Sequence, residues 1–242
     1  MLMVMIEEIM LNKPKKISFG MVPEFADVPK PAQQYIPEWY AKSERFVGGE
    51  AKIKPEGGAN KGLKLCFPYL DALTSGYVIE LWTDIQVKQT MDGPQFRWMI
   101  EPQPVNSRDS EPAKLLPTPL GCSKHQFVWM LPTCFKTPPG YSLLVTHPLN
   151  RHDLPFVTLS GVIDADKGIA MGNYPFFLQK DFEGVIEAGT PIAQLIPFKR
   201  EDWEAEKDQS LVMLGEKINY QSNRYIKGVF YRKNVWSKKT YK

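Results

Sequence analysis

The sequence predicts a mainly β protein, a barrel or sandwich with extensions at both ends, and three observations predict it. Twenty-one prolines and seventeen glycines punctuate 242 residues, so the elements are short and joined by turns. Apolar runs of strand length recur through the middle of the chain: QFRWMI, HQFVWML, GYSLLVTH, FVTLSGVI, NYPFFL and PIAQLIPF. Short strands at this spacing are the pattern of an all-β domain, and few long runs carry a helical period.

Composition narrows the setting. The chain is 43% hydrophobic and 24% charged with a net charge of +3, the profile of an ordinary folded protein rather than a disordered one. That charge selects no class of partner. Cys66, Cys122 and Cys134 form an odd set, which argues for a reducing compartment and against a disulfide framework. The apolar start MLMVMIEEIMLNKPKK is interrupted by Glu7 and Glu8, and its positive charges follow the apolar run instead of preceding it. Neither a signal peptide nor a membrane anchor is expected.

Residues 1–62 read as a strap onto the core. Pro37 followed by Glu38 predicts a helix start, with Trp39 and Tyr40 as packing anchors. The core runs over residues 63–198. Within it Val78, Glu80, Trp82, Asp84 and Gln86 alternate with Ile79, Leu81, Thr83, Ile85 and Val87, which predicts one half-buried strand. The proline-rich stretch EPQPVNSRDSEPAKLLPTPLG is too long for a hairpin and predicts a binding or oligomer-contact loop. Ile163, Phe176, Phe177, Ile192 and Leu195 are the expected interior.

Residues 199–242 read as a surface helix, breaking near Asp208 to Ser210, and a basic aromatic arm. From Gly215 onward there are eight Lys or Arg against the single acid Glu216, interleaved with Tyr220, Tyr225, Phe230, Tyr231, Trp236 and Tyr241. Such a mixture suits an arm lying on a neighbouring subunit, or else a grip on nucleic acid.

The chemistry-bearing stretch is GVIDADKGIAMGNYPFFL, with Asp164 and Asp166 on a turn between apolar runs. Aspartates on a turn hydrogen-bond their own backbone or present carboxylates to a ligand. His147 and His152, flanking Arg151 beside Asp153, suggest a phosphate pocket or a solvated loop. Cys122, His125 and Cys134 lack the second close pair of a zinc site, and no metal is assigned. There is no Walker loop, dinucleotide glycine fingerprint or serine elbow.

GVIDADKG, then GVIEAGTPIAQLIPF, and upstream TPPGYSLLVTHPL, resemble in order three motifs of the dUTPase superfamily over Pro138 to Phe198. The resemblance implies a dUTPase-like barrel or sandwich and a homotrimer with sites between subunits. It places Asp164 where that family orients the attacking water, and offers Asp166, Lys167, Asn150, Arg151 and Gln194 as ligand-binding positions. Three departures accompany it: Lys167 replaces the aromatic that packs on the deoxyribose, the second motif's serine has no counterpart in HPLNRHDLPF, and the glycine-rich closing motif is replaced by the basic arm.

PAQQYIPEWYAK, KLCFPYLDALTSGYVIELWTDIQV, KTPPGYSLLVTHPLNRHDLPF and GTPIAQLIPFKREDW look like a family encoded by tailed bacteriophages. The expectation is therefore a phage-encoded, non-catalytic, oligomeric β protein, located in the host cytoplasm or the virion. It would need no cofactor and bind a phage structural protein, a host protein or a nucleotide, or nucleic acid through its arm. The alternative is a nucleotide-processing enzyme related to dUTPase or dCTP deaminase, with Asp164 as general base and Mg2+ required only in that case.

Overall fold

Strand-length apolar runs assemble here into three antiparallel sheets around one core. The computed structural model describes residues 15–21, 27–54, 58–108, 115–168, 170–224 and 229–242. In the first sheet the long strand β7 (Cys122–Lys136) pairs along one edge with β11 (Ala170–Gln179), which carries β9 (Phe156–Thr158) beyond it. Its other edge is shared by β1 (Ser18–Met21) and β6 (Val105–Ser107). The second sheet runs β10 (Gly161–Ile163), β8 (Tyr141–Thr146), β13 (Pro191–Lys199), β3 (Tyr77–Glu80) and β2 (Lys30–Pro31). The third holds β12 (Gly184–Ile186), β4 (Ile85–Thr90) and β5 (Gly93–Trp98).

The fold is mainly β, and among the described residues no sheet closes as a barrel. The reason lies at the edges: β9, β10 and β2 are only two or three residues long, too short to carry a ladder onward around a ring. Residues from all three sheets meet in a single hydrophobic cluster. At its centre Trp129 and Phe176 stack with ring centroids 3.8 Å apart, and Phe156 meets Trp129 edge-on at 5.0 Å. Phe96 of β5 packs edge-on against Phe127 at 4.7 Å, tying the third sheet to the first. Of the expected interior, Phe176, Phe177, Ile192 and Leu195 are buried, while Ile163, on the edge strand β10, is only half-buried.

The alternating run 78–87 is not one strand: it breaks at 81–84 and feeds β3 into the second sheet and β4 into the third. Asp84 causes the break by accepting the Ala188 N–H at 2.7 Å, while the Leu81 N–H donates to the Thr190 carbonyl at 2.8 Å. Alternation survives the change of sheet because Ile79, Leu81, Ile85 and Val87 all reach the one core cluster. Just upstream, Phe67–Thr74 forms a helix with Pro68 in its first turn, where a missing N–H costs nothing.

The strap contributes strands to both large sheets through β1 and β2. Its short helix α1 (Glu38–Lys42) buries Tyr40, which stacks on Tyr69 of α2 (Phe67–Thr74) at 5.9 Å, whereas Trp39 lies edge-on to both rings and stays 40% exposed.

At the other end, residues 201–208 form no helix. Five acids in eight residues repel one another, and the helix α3 (Ser210–Arg224) begins only where the Asp208 carboxylate accepts the Ser210 N–H at 2.9 Å. The last segment, with α4 (Val229–Asn234), returns to its own chain: Tyr231 and Trp236 pack on Phe67, and the Trp236 indole N–H donates to Asp71 at 2.9 Å. Tyr241 meets Tyr77 edge-on at 5.8 Å. These three aromatics of the arm therefore dock in cis, Tyr231 and Trp236 where α2 offers an apolar ring beside a carboxylate and Tyr241 on β3; Tyr225 lies outside the described residues.

Candidate functional site

The turn after β10 is built by its own alternation. Ala165 is 1% exposed and belongs to the core cluster, which turns the flanking Asp164 and Asp166 outward toward the start of β8. There Pro138 and Tyr141 close a turn, with the Tyr141 N–H donating to the Pro138 carbonyl at 3.2 Å. The turn needs a left-handed residue, and Gly140 supplies it with φ of 81°. Its freed N–H donates to Asp166 Oδ2 at 2.9 Å.

Arg200, the first residue after β13, completes the arrangement. Its own N–H donates to the Gly140 carbonyl at 2.8 Å, which brings the side chain over the turn. Nη1 donates to Asp166 Oδ1 at 2.9 Å, to Asp164 Oδ1 at 3.2 Å and to Ser142 Oγ at 3.0 Å, and Nη2 donates to Asp166 Oδ2. Ser142 Oγ in turn donates to Asp164 Oδ1 at 2.6 Å. A guanidinium matches two carboxylates because its donors are fixed in a planar fork.

The electrostatic consequence is that both carboxyls stay ionised. The Ser142 hydroxyl, and then the Arg200 charge, hold Asp164 below its ordinary value of 3.8; the hydrogen bonds from Arg200 and from the Gly140 amide hold Asp166 far below it. Stability from a depressed carboxyl is complete above the unfolded value and is lost as pH falls through the folded one. Urea unfolding is therefore expected to lose midpoint between about pH 4 and pH 2 more steeply in the wild type than in Asp166→Asn. Parallel acid limbs for the two proteins would contradict the clasp.

Mg2+ does not fit this turn. Three of the four carboxylate oxygens already accept donors, and Arg200 supplies the positive charge a cation would bring. Among the described residues no group of three or more His, Cys, Asp or Glu could hold a metal ion. Cys122 and Cys134 stand near opposite ends of the long strand β7, so the strand itself keeps them apart.

The other candidate residues lie elsewhere. Lys167 is exposed beside the turn, with its N–H donating weakly to the Asp164 carbonyl at 3.4 Å. Asn150 and Arg151 follow β8 beyond its far end at Thr146, which lies about 13 Å along the strand from Ser142 at roughly 3.3 Å per residue. Within one chain the two groups do not meet. Asn150 takes a left-handed φ of 60°. Arg151 is spent on structure: Nε and Nη2 grip Asp153 at 2.9 Å, and Nη1 donates to the Tyr35 carbonyl at 3.3 Å. Gln194 is buried and gives all its polar atoms to the backbone, accepting the Leu149 N–H and donating to the Ala72 and Ser75 carbonyls.

Beside Asn150 runs a groove of about 600 Å³ lined by His147, His152, Phe156, Ser160 and Gln179 among others. His147 is neutral there: burial pushes its pKa down, Nε2–H donates to the Arg151 carbonyl, and Nδ1 accepts the Thr158 N–H. Ser142 and Arg200 are the site residues that motif reading missed. Neither stands in a motif of its own, and only the GYS step into β8 and a basic residue ending the AQLI strand hint at them.

The chain matches no protein-family model and no curated protein. No helix among the described residues is long and apolar enough to cross a membrane.

Proposed function

We propose that this chain is a phage-encoded β protein with a dUTPase-like core that acts by binding, as a virion component or as a factor holding a host molecule or a nucleotide, and not by hydrolysis. The observation that carries the reading is the Arg200 clasp. A general base needs a pKa near the working pH. Asp164 instead shares Oδ1 between Ser142 and Arg200, and its carboxyl is held below the usual range.

A binding role has a place in the groove beside Asn150 and His152, whose volume of about 600 Å³ lies in the range of small-molecule sites. The homotrimer implied by the resemblance also supports self-association, since Asp164 and Asn150 lie at opposite ends of β8 in one copy and a site using both would draw them from two. The basic arm remains available for nucleic acid through its exposed Lys238.

Purified protein with dUTP and Mg2+ is expected to release pyrophosphate no faster than buffer does. A robust rate abolished by Asp164→Asn would overturn the reading in favour of a nucleotide-processing enzyme. Light scattering at micromolar concentration is expected to show more than one copy per particle; a monomer would remove the oligomeric part alone.

A further inference from the structure

Between the acidic stretch 201–208 and the cis-docked end of the arm, every residue of α3 from Ser210 to Tyr220 is exposed. Its sequence does not suit that position. Leu211 is 59% exposed, Leu214 52% and Ile218 38%. Spaced three and four apart, these residues share one helix face, as do residues packed against a partner helix. By the same 3.6-residue period Glu216 points to the opposite side, together with the exposed Met213 and Tyr220, and Lys217 lies on the flank.

Gly215 lies on that apolar face as well, four residues after Leu211 and three before Ile218. A glycine inside a helix weakens it by about 1 kcal/mol relative to alanine. Nothing among the described residues calls for it, because there an added Cβ would meet no atom within 4 Å and the backbone is not left-handed. A second helix crossing closely at this point would supply the reason.

Charge identifies the partner. Residues 201–208 carry five acids and one lysine, while residues 229–242 carry Arg232, Lys233, Lys238, Lys239 and Lys242 and no acid. Acid precedes the helix and base follows it. Two copies side by side in parallel would set acid on acid. Two copies antiparallel set the acidic entry of each beside the basic exit of the other, twice over, about one two-fold axis.

We infer that α3 pairs with the α3 of a second copy of this chain in an antiparallel, two-fold contact centred between Leu214 and Gly215. Leu214 of each copy seats over Gly215 of the other, and Leu211 faces Ile218. The inference rests on the oligomeric part of the proposed function and adds the surface, the direction and the register. It joins two bodies whatever the state of each body alone.

The test is the mass of the full chain by sedimentation at micromolar concentration. Leu214→Glu/Ile218→Glu is expected to halve it with helix content by circular dichroism unchanged, since both positions are exposed. Gly215→Leu is expected to lower the association constant by at least tenfold although it strengthens the isolated helix. Glu204→Lys/Glu206→Lys and Arg232→Glu/Lys233→Glu should each weaken association, and an equimolar mixture of the two should restore a particle of wild-type mass. A wild-type mass left unchanged by Leu214→Glu/Ile218→Glu would overturn the pairing and leave the non-catalytic reading standing. Loss of mass without recovery in the mixture would overturn the antiparallel register. Hydrolysis of dUTP would overturn the non-catalytic reading and leave the pairing untouched.

Discussion

Trp129→Ala is expected to cost about 4 kcal/mol of folding stability, the range for deleting a large buried aromatic, and to lower the melting temperature by about 10 °C. The indole is 0% exposed and stacks on Phe176, which is also fully buried, so the cavity would open in the middle of the core where neighbours can relax least. It also links the sheets by hydrogen bonds: Trp129 Nε1–H donates to Thr158 Oγ1 at 3.0 Å, and that hydroxyl donates to the Ile192 carbonyl at 2.7 Å. Trp129→Phe keeps much of the stacking and loses one buried hydrogen bond, so it should cost only about 1–2 kcal/mol plus a small cavity. Urea unfolding of the two variants measures the difference. Equal losses for both would mean that the hydrogen-bonded chain, and not the packing, dominates this centre.

Gln194→Ala is expected to be nearly as damaging, at about 3 kcal/mol, for a different reason. The side chain is 2% exposed and satisfies three backbone groups: the Leu149 N–H at 2.8 Å, the Ala72 carbonyl at 3.0 Å and the Ser75 carbonyl at 2.6 Å. These belong to the loop after β8 and to the end of α2 and its exit. Alanine strands all three inside the protein. Gln194→Glu sharpens the test, because a carboxylate accepts from Leu149 but cannot donate to carbonyls. Its carboxyl should have a raised folded pKa, so this variant gains stability as pH falls and loses it as pH rises through that value. An effect under 1 kcal/mol for alanine, or a flat pH response for glutamate, would show that Gln194 is free to serve a ligand.

How much of this was legible in the chain depends on the range of the interaction involved. The strands were legible because apolar runs of strand length record burial locally: Phe176, Ile192 and Leu195 are buried, and β13, central in its sheet, buries residues of both its faces. The run 78–87 misled for the same reason, since alternation is blind to which sheet a strand joins. The break at 81–84 is imposed by bonds to Thr190 and Ala188, about a hundred residues away. The acidic stretch 201–208 was read as helix from Trp203 and its charges, but its five acids lie within a few residues of one another and their repulsion opposes a helix there.

The aspartates of the GVIDADKG turn show the same division at the site. The sequence alone determined that two carboxylates stand on a turn between buried strands, that the elements are short and mainly β, and that an acidic segment and a basic aromatic arm flank the last apolar stretch. Those are local properties of composition and period, held by neighbours a few residues apart. Only the tertiary structure decided that Arg200, 34 residues beyond Asp166, closes over both carboxylates, that Gln194 is a structural strut, and that Trp236 returns to Asp71 across 165 residues. Contacts of that separation depend on which strands lie side by side. A register of hydrogen bonds and one shared core set that order, and no stretch of the chain carries it by itself.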